Sequence, residues 1–257
     1  MSFHNGMSYN NYFPPITSLV YSLDKSQIVN VYIINYDPKE SFDYCNNKIL
    51  LSIINEYKKV RISLDSSNKN LLDIASGFIK KINPFYFNII INHIDTNSFF
   101  NVFTNNITHL NLECNRIDCE LNNLPNTIEK LKIYTIVDYD YNLDNLPINL
   151  KELFYHSKLT KPLNNLPPNL KLLDIQYIDN NNLLNNLPDS LQILSILDYY
   201  PFRFNNLPIS LKELSFGQIK HTANGIKNYN PNYIIELKFK FPNLKIYGST
   251  FRQFTLD

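Results

Sequence analysis

The feature that most constrains the fold is a phrase that recurs five times between residues 124 and 216. Its copies read LPNTIEKLKI, LPINLKELFY, LPPNLKLLDI, LPDSLQILSI and LPISLKELSF, and their prolines lie 22, 20, 21 and 20 residues apart at Pro125, Pro147, Pro167, Pro188 and Pro208. Such a period is the signature of a solenoid, in which each repeat buries its apolar side chains against its neighbours. The sequence therefore predicts a stack of repeats.

Apolar residues stand three, six and eight positions after each proline, and the last two alternate with their neighbours, as in a strand with one buried face. About twenty residues hold a short strand, a turn and an extended return, but hardly a full helix. Successive strands should pair in parallel, about 4.8 Å apart. We therefore predict one buried file of leucines on neighbouring strands: Leu131, Leu153, Leu173, Leu194 and Leu214.

Two sets of aligned residues, the prolines and a column of asparagines, characterise the return segment, which leads from one strand back to the start of the next. Proline fixes its own φ and pushes the preceding leucine towards extended geometry, which predicts a polyproline-like back wall. An asparagine column stands two residues before the prolines, at Asn123, Asn145, Asn165, Asn186 and Asn206. Asparagine amides can bond turn backbone groups that no sheet ladder reaches. We expect that role for the column; chance clustering in an Asn-rich chain is the alternative.

The phrase L-P-x-x-L-x-x-L-x-[IF] resembles a short, proline-marked leucine-rich repeat, and FNNLPISLKELSFG (204–217) resembles the FNIP repeat of slime-mould and giant-virus proteins. ITHLNLECNRI (107–117) also fits the leucine-rich pattern, with Asn115 at its asparagine position. The resemblance covers about residues 105–247. It implies an α/β leucine-rich-repeat solenoid with a parallel β-sheet on its concave face.

The front of the chain reads as longer, helix-backed repeats. Residues 28–35, 60–64 and 85–91 are predicted strands, segments 45–57 and 71–79 have helical spacing, and Phe99, Phe100 and Phe103 indicate a short 3₁₀ piece. A separate N-terminal module is the alternative. We expect a lead-in or cap at 1–27, longer repeats at 28–104, short repeats at 105–240 and a C-terminal cap at 241–257.

The last short repeat is expected at Pro231, where Ile234, Leu237 and Phe239 keep the offsets of three, six and eight residues. Pro242, Leu244 and Ile246 follow as a shortened copy of the phrase. Because a terminal repeat must shield its open face with something atypical, the segment after residue 240 is the expected cap.

Composition narrows the functional classes. The chain has 257 residues and a formal net charge of +1, which points neither to nucleic acid nor to an anionic membrane. Its three cysteines are too few and odd in number for a disulfide framework, and no secretory or membrane-spanning segment is visible. We expect a cytoplasmic protein, in the host cytoplasm if viral, that acts as a monomer.

No catalytic or cofactor-binding motif is present, including phosphate-binding glycine loops and metalloprotease signatures. Cys114, Cys119 and His109 come nearest to a metal cluster, but no fourth ligand has suitable spacing. Asp138 and Asp140 read as a solvated turn. The sequence therefore predicts no enzyme, no metal and no cofactor.

The concave sheet face is the expected binding surface, because the residues five, seven and nine positions after each proline point away from the core. On this face the sequence predicts a contiguous apolar patch with charged neighbours; its residues are Tyr134, Phe154, Leu172, Ile193, Leu197, Lys132 and Asp174. Such patches are typical of interaction sites. The alternative is that another segment covers the patch, or that the patch only reflects a Leu/Ile-rich composition.

The predicted function is a non-enzymatic scaffold that binds a protein partner. The alternative is a substrate receptor of a ubiquitin ligase, since F-boxes accompany FNIP repeats in some giant-virus proteins. That alternative needs an adaptor-binding module in residues 1–60, and no residues there carry the F-box pattern.

Overall fold

The structure, a computed structural model, describes residues 29–33, 51–52, 55, 59–64, 80–81, 86–103, 106–178, 180–198, 204, 206–216 and 231–247. Ten strands in these segments form one sheet, in which every strand lies beside its neighbours in sequence. The strands are β1 (Val29–Ile33), β2 (Lys59–Leu64), β3 (Tyr86–Ile94), β4 (His109–Ile117), β5 (Lys130–Thr135), β6 (Glu152–Leu159), β7 (Leu172–Ile178), β8 (Ile193–Asp198), β9 (Glu213–Phe216) and β10 (Lys245–Tyr247).

All nine strand pairings are parallel. A parallel sheet with sequential strand order requires the chain to return to the same end after each strand. The chain therefore winds as a solenoid, and the predicted repeat architecture is confirmed. Strands β1 to β3 belong to the same sheet as the short repeats.

Two files of apolar side chains form the core behind the sheet. In the first file, register partners on β4 to β10 are Leu110, Leu131, Leu153, Leu173, Leu194, Leu214 and Ile246, all essentially inaccessible to solvent. The second file runs two residues further along each strand, from Ile89 through Tyr155 to Phe216. Burying one such side chain contributes about 1.5–3 kcal/mol. The predicted single file of leucines is confirmed.

Each proline of the phrase opens a tight turn. Its carbonyl accepts a hydrogen bond from the backbone N–H three residues later, at 3.0–3.1 Å in all five copies. The residue that donates is the buried apolar residue at the third position: Ile128, Leu150, Leu170, Leu191 and Leu211. The next N–H already bonds to the preceding repeat, as from Lys171 to the Lys151 carbonyl at 2.8 Å. The proline thus positions the turn that starts the strand.

Polar residues two positions after the prolines link consecutive repeats. The side chains of Thr127, Asn149, Ser190 and Ser210 donate to backbone carbonyls of the preceding repeat at 2.6–2.9 Å. Small polar residues suit this position because each satisfies a carbonyl that the sheet does not use. The sequence signal is a column of Thr, Asn, Asn, Ser and Ser, which the sequence analysis did not single out.

The asparagine column bonds backbone groups, as expected, in only part of its length. Asn123 donates to a backbone carbonyl, that of Asn97, at 3.4 Å. Asn145 and Asn186 instead donate to side-chain oxygens of the preceding repeat, those of Asn122 at 3.1 Å and Asn164 at 2.9 Å. All five asparagines of the column are exposed. Part of the column is therefore a side-chain ladder on the surface.

The front section matches the predicted elements where it is described. Strands β1, β2 and β3 lie at the predicted positions, and a 3₁₀ helix spans Asn97–Val102. Residues 51, 52 and 55 are helical, and Leu51 packs against the core. The predicted helix at 71–79 and the lead-in at 1–27 lie outside the described residues.

The prediction of a strand after Pro231 is wrong, because Pro231–Lys240 is an α-helix, α1. Tyr233, Ile234 and Leu237 are its buried residues, a spacing typical of one helix face, whereas Phe239 is 92% exposed. This copy of the phrase has asparagine before its proline where the other copies have leucine.

The last strand is instead formed by the shortened copy of the phrase that contains Leu244 and Ile246. Leu244 donates its N–H to the Phe241 carbonyl at 3.0 Å, which repeats the turn of the other copies. Strand β10 follows, and its Ile246 pairs with Leu214 of β9. This strand lies within the segment that the sequence analysis predicted as the C-terminal cap.

Exposed Asn115 lies within β4 rather than in a turn after the strand. Its backbone carbonyl accepts hydrogen bonds from the N–H groups of Ile136 at 3.1 Å and Val137 at 2.9 Å. The Asn115 carbonyl therefore holds the backbone that follows β5.

Candidate functional site

The outer face of the sheet is the surface opposite the apolar core. Strand β6 shows the alternation that builds it, since every second residue from Leu153 to Leu159 is buried while those between them are partly exposed. Side chains five and seven residues after the prolines stand in register from β5 to β8, and at nine residues Tyr134 pairs with His156 before the register between β6 and β7 shifts after Tyr155. The predicted orientation of these positions is therefore confirmed.

One row of the outer face has apolar residues at its centre and ion pairs on both sides. Its register partners from β4 to β10 are His109, Lys130, Glu152, Leu172, Ile193, Glu213 and Lys245. The ammonium of Lys130 pairs with the Glu152 carboxylate, and that of Lys245 lies 3.6 Å from the Glu213 carboxylate. Each carboxylate beside the apolar pair is thus neutralised within the row.

Phe154 lies in the next row, between Lys132 and Asp174. The ammonium groups of Lys130 and Lys132 lie 4.8 and 4.7 Å from the centroid of its ring. A cation at this distance over an aromatic face is attracted by the ring quadrupole. Lys132 is exposed, and no carboxylate pairs with it among the described residues.

His156 and Asp174 meet on the same face. The His156 Nε2 lies 3.4 Å from the Asp174 Oδ1, and both atoms are buried without a well-directed hydrogen bond. The contact becomes an ion pair when the imidazole is protonated. It lies beside Phe154, whose ring centroid is 6.5 Å from that of His156.

The predicted apolar residues are distributed over the outer face. Leu172 and Ile193 are direct register partners. Tyr134 stands between Glu113 and His156, and exposed Leu197 lies near the end of β8. Apart from the pair Leu172 and Ile193, polar side chains separate the apolar residues within their rows, so the apolar surface consists of several small areas.

The described residues contain no group of three or more His, Cys, Asp or Glu side chains that could hold a metal ion. Cys114 and Cys119 are free and buried, and burial raises the pKa of their thiols to about 12 and about 11. The imidazole of His109 bonds the Thr108 hydroxyl at 2.8 Å. Asp138 and Asp140 are exposed, as expected for a solvated turn.

A shallow cavity of about 390 Å³ lies at the proline turns, away from the outer face. Its lining combines apolar residues, among them Leu146, Leu166 and Pro167, with asparagine side chains and one carboxylate, that of Asp144. This cavity was not predicted from the sequence.

Fold and face together define a parallel β-solenoid whose turns are marked by proline and whose sheet presents a mixed apolar and charged surface. No protein-family model, no curated protein and no solved structure matches the chain. None of the described helices has the length and apolar character needed to span a membrane.

Proposed function

We propose that the chain is a non-enzymatic scaffold that binds a protein partner through the outer face of its sheet. The apolar pair Leu172 and Ile193 carries this proposal. Removing apolar surface from water is the main favourable term in protein association. The flanking ion pairs Lys130–Glu152 and Glu213–Lys245 are already neutralised, so a partner need not supply charges to match them.

Partner recognition would centre on these two residues, with Phe154, Tyr134 and Leu197 as further apolar contacts. Lys132 and Asp174 add polar contacts beside Phe154. We place this activity of a monomeric chain in the cytoplasm, because the two free buried cysteines suit a reducing compartment. The leucine-rich and FNIP resemblance of the repeats agrees with an interaction role.

Affinity capture from a lysate of the native cell or host tests this proposal. The baits are the wild-type chain, a Phe154→Asp/Ile193→Asp variant of the outer face and a matched Ile148→Asp/Ile209→Asp variant of the proline turns. Ile148 and Ile209 are exposed isoleucines away from the sheet. We expect the wild type and the turn variant to retain the same protein and the face variant to lose it. Circular dichroism should be unchanged in all three. Equal capture by the face variant would contradict the proposal.

A further inference from the structure

A second surface lies where the chain leaves β5. Four exposed apolar side chains occur within eight residues there, Tyr134, Ile136, Val137 and Tyr141, and we call them the edge patch. Ile136 is 68% exposed. Large apolar groups clustered this closely on a surface are typical of interaction sites.

The backbone of the edge patch is held at the carboxyl ends of β4 to β6. Ile136 and Val137 donate their N–H groups to the Asn115 carbonyl. Further along, Tyr139 forms an isolated parallel bridge with Leu159. The Tyr141 hydroxyl donates to the Asp118 carbonyl at 2.8 Å, and its ring lies 5.6 Å from that of buried Tyr139. The exposed side chains are therefore presented on a fixed backbone.

The chain segments beside the edge patch, 118–122 and 138–140, contain four carboxylates and no lysine or arginine. Asp118 precedes it on the β4 side and bonds Arg116 at 2.6 Å and His93 at 2.9 Å, which lowers the pKa of its carboxyl group. Asp140 pairs with Lys161 at 3.2 Å. Two more exposed carboxylates have no cationic partner among the described residues, those of Glu120 and Asp138.

We propose that the edge patch binds a basic, apolar peptide segment of a partner protein, with its apolar side chains on Ile136 and Val137 and its lysines or arginines beside Glu120 and Asp138. Charge complementarity selects this occupant, because the negative rim repels acidic segments and nucleic acid. The edge patch shares Tyr134 with the proposed outer-face contacts, but its argument rests on Ile136, Val137 and the neighbouring carboxylates and not on the pair Leu172 and Ile193, so the proposal stands without the proposed function.

Selection from a random twelve-residue peptide library displayed on phage tests this proposal. The selection uses the wild-type chain, with an Ile136→Ser/Val137→Ser variant as counter-selection. We expect the enriched peptides to combine apolar residues with an excess of lysine and arginine. Absence of enrichment over the variant, or enrichment of acidic or uncharged peptides, would overturn the proposal.

The affinity of one enriched peptide then separates the two components of binding. Ile136→Ser/Val137→Ser should weaken it at least about tenfold, as expected for the loss of an apolar contact. Glu120→Gln/Asp138→Asn should weaken it about three- to tenfold and reduce its dependence on salt, because exposed charges are screened. Unchanged affinity in either variant would contradict the proposal.

Two controls locate the surface. Ile148→Ser/Ile209→Ser changes exposed isoleucines at the proline turns, and Phe154→Ala/Ile193→Ala changes the outer face; both should bind the peptide as the wild type does.

A second copy of the chain is the competing occupant, through the exposed Phe239 of α1. Self-association that is abolished both by Phe239→Ser and by the Ile136→Ser/Val137→Ser change would assign the edge patch to that contact and overturn the proposal.

Discussion

Leu173 on β7 and Leu194 on β8 are register partners, and neither exposes any measurable surface to solvent. Each also has a partner on its other side, Leu153 and Leu214, so contacts within the file are continuous across repeats. Neighbouring repeats therefore depend on one another for stability.

A cavity in this file should be costly. Leu173→Ala is expected to lower the free energy of unfolding by about 2–5 kcal/mol, since it removes buried atoms and leaves a void. Urea denaturation followed by circular dichroism measures the change. Ile209→Ala is the control, because Ile209 is 90% exposed, and it should alter stability by less than about 0.5 kcal/mol. Similar losses for both variants would contradict the assigned core.

Two apolar residues of helix α1, Leu237 and Phe239, should respond differently to truncation. Leu237 is 4% exposed and Phe239 is 92% exposed. Leu237→Ala should therefore destabilise the chain by about 2 kcal/mol or more, whereas Phe239→Ala should change stability by less than about 0.5 kcal/mol. Thermal unfolding of both variants checks this. A large loss at Phe239 alone would indicate that the segment is a strand after all.

The hydrogen bonds that link consecutive repeats, two positions after the prolines, should contribute measurably to stability. The Ser190 hydroxyl donates to the Leu170 carbonyl at 2.7 Å. Ser190→Ala should cost about 0.5–1.5 kcal/mol, the usual net value of one hydrogen bond, and Ser190→Thr should retain most of it. Equilibrium unfolding in urea compares the three proteins. Equal stability of the alanine variant and the wild type would show that the bond contributes nothing.

The buried thiols should be unreactive in the native state. With Cys45→Ser, two cysteines remain, Cys114 and Cys119. At pH 8 a thiol reagent should detect almost none in buffer and both in denaturing urea, because burial holds their pKa values at about 12 and about 11. Rapid labelling of the native chain would contradict their burial.

The raised pKa values of these two thiols also determine the direction in which the stability of the chain changes with pH. An unfolded thiol ionises near pH 8.5. Between that value and the folded pKa values the unfolded state binds fewer protons than the native state, so stability decreases as pH rises. Urea midpoints of the Cys45→Ser variant at pH 8 and pH 10 measure this decrease. Cys114→Ala in the same background should show a smaller one.

The sequence by itself determined the repeat, its parallel strands and the buried file that runs through Leu131 and Leu214, because a residue pattern that recurs with one period places like side chains in register. It also predicted the orientation of outer-face residues such as Phe154, since alternation along a strand is local. These features follow from periodicity alone.

Only the tertiary structure decided what depends on the neighbours of a repeat. Pro231 opens a helix although its apolar offsets match those of the strands, and the last core position goes to Ile246. The N–H groups of Ile136 and Val137 bond to Asn115, twenty-one and twenty-two residues earlier, and both side chains are exposed. A period in sequence specifies which residues repeat; the contacts between turns of the solenoid specify which of them meet solvent.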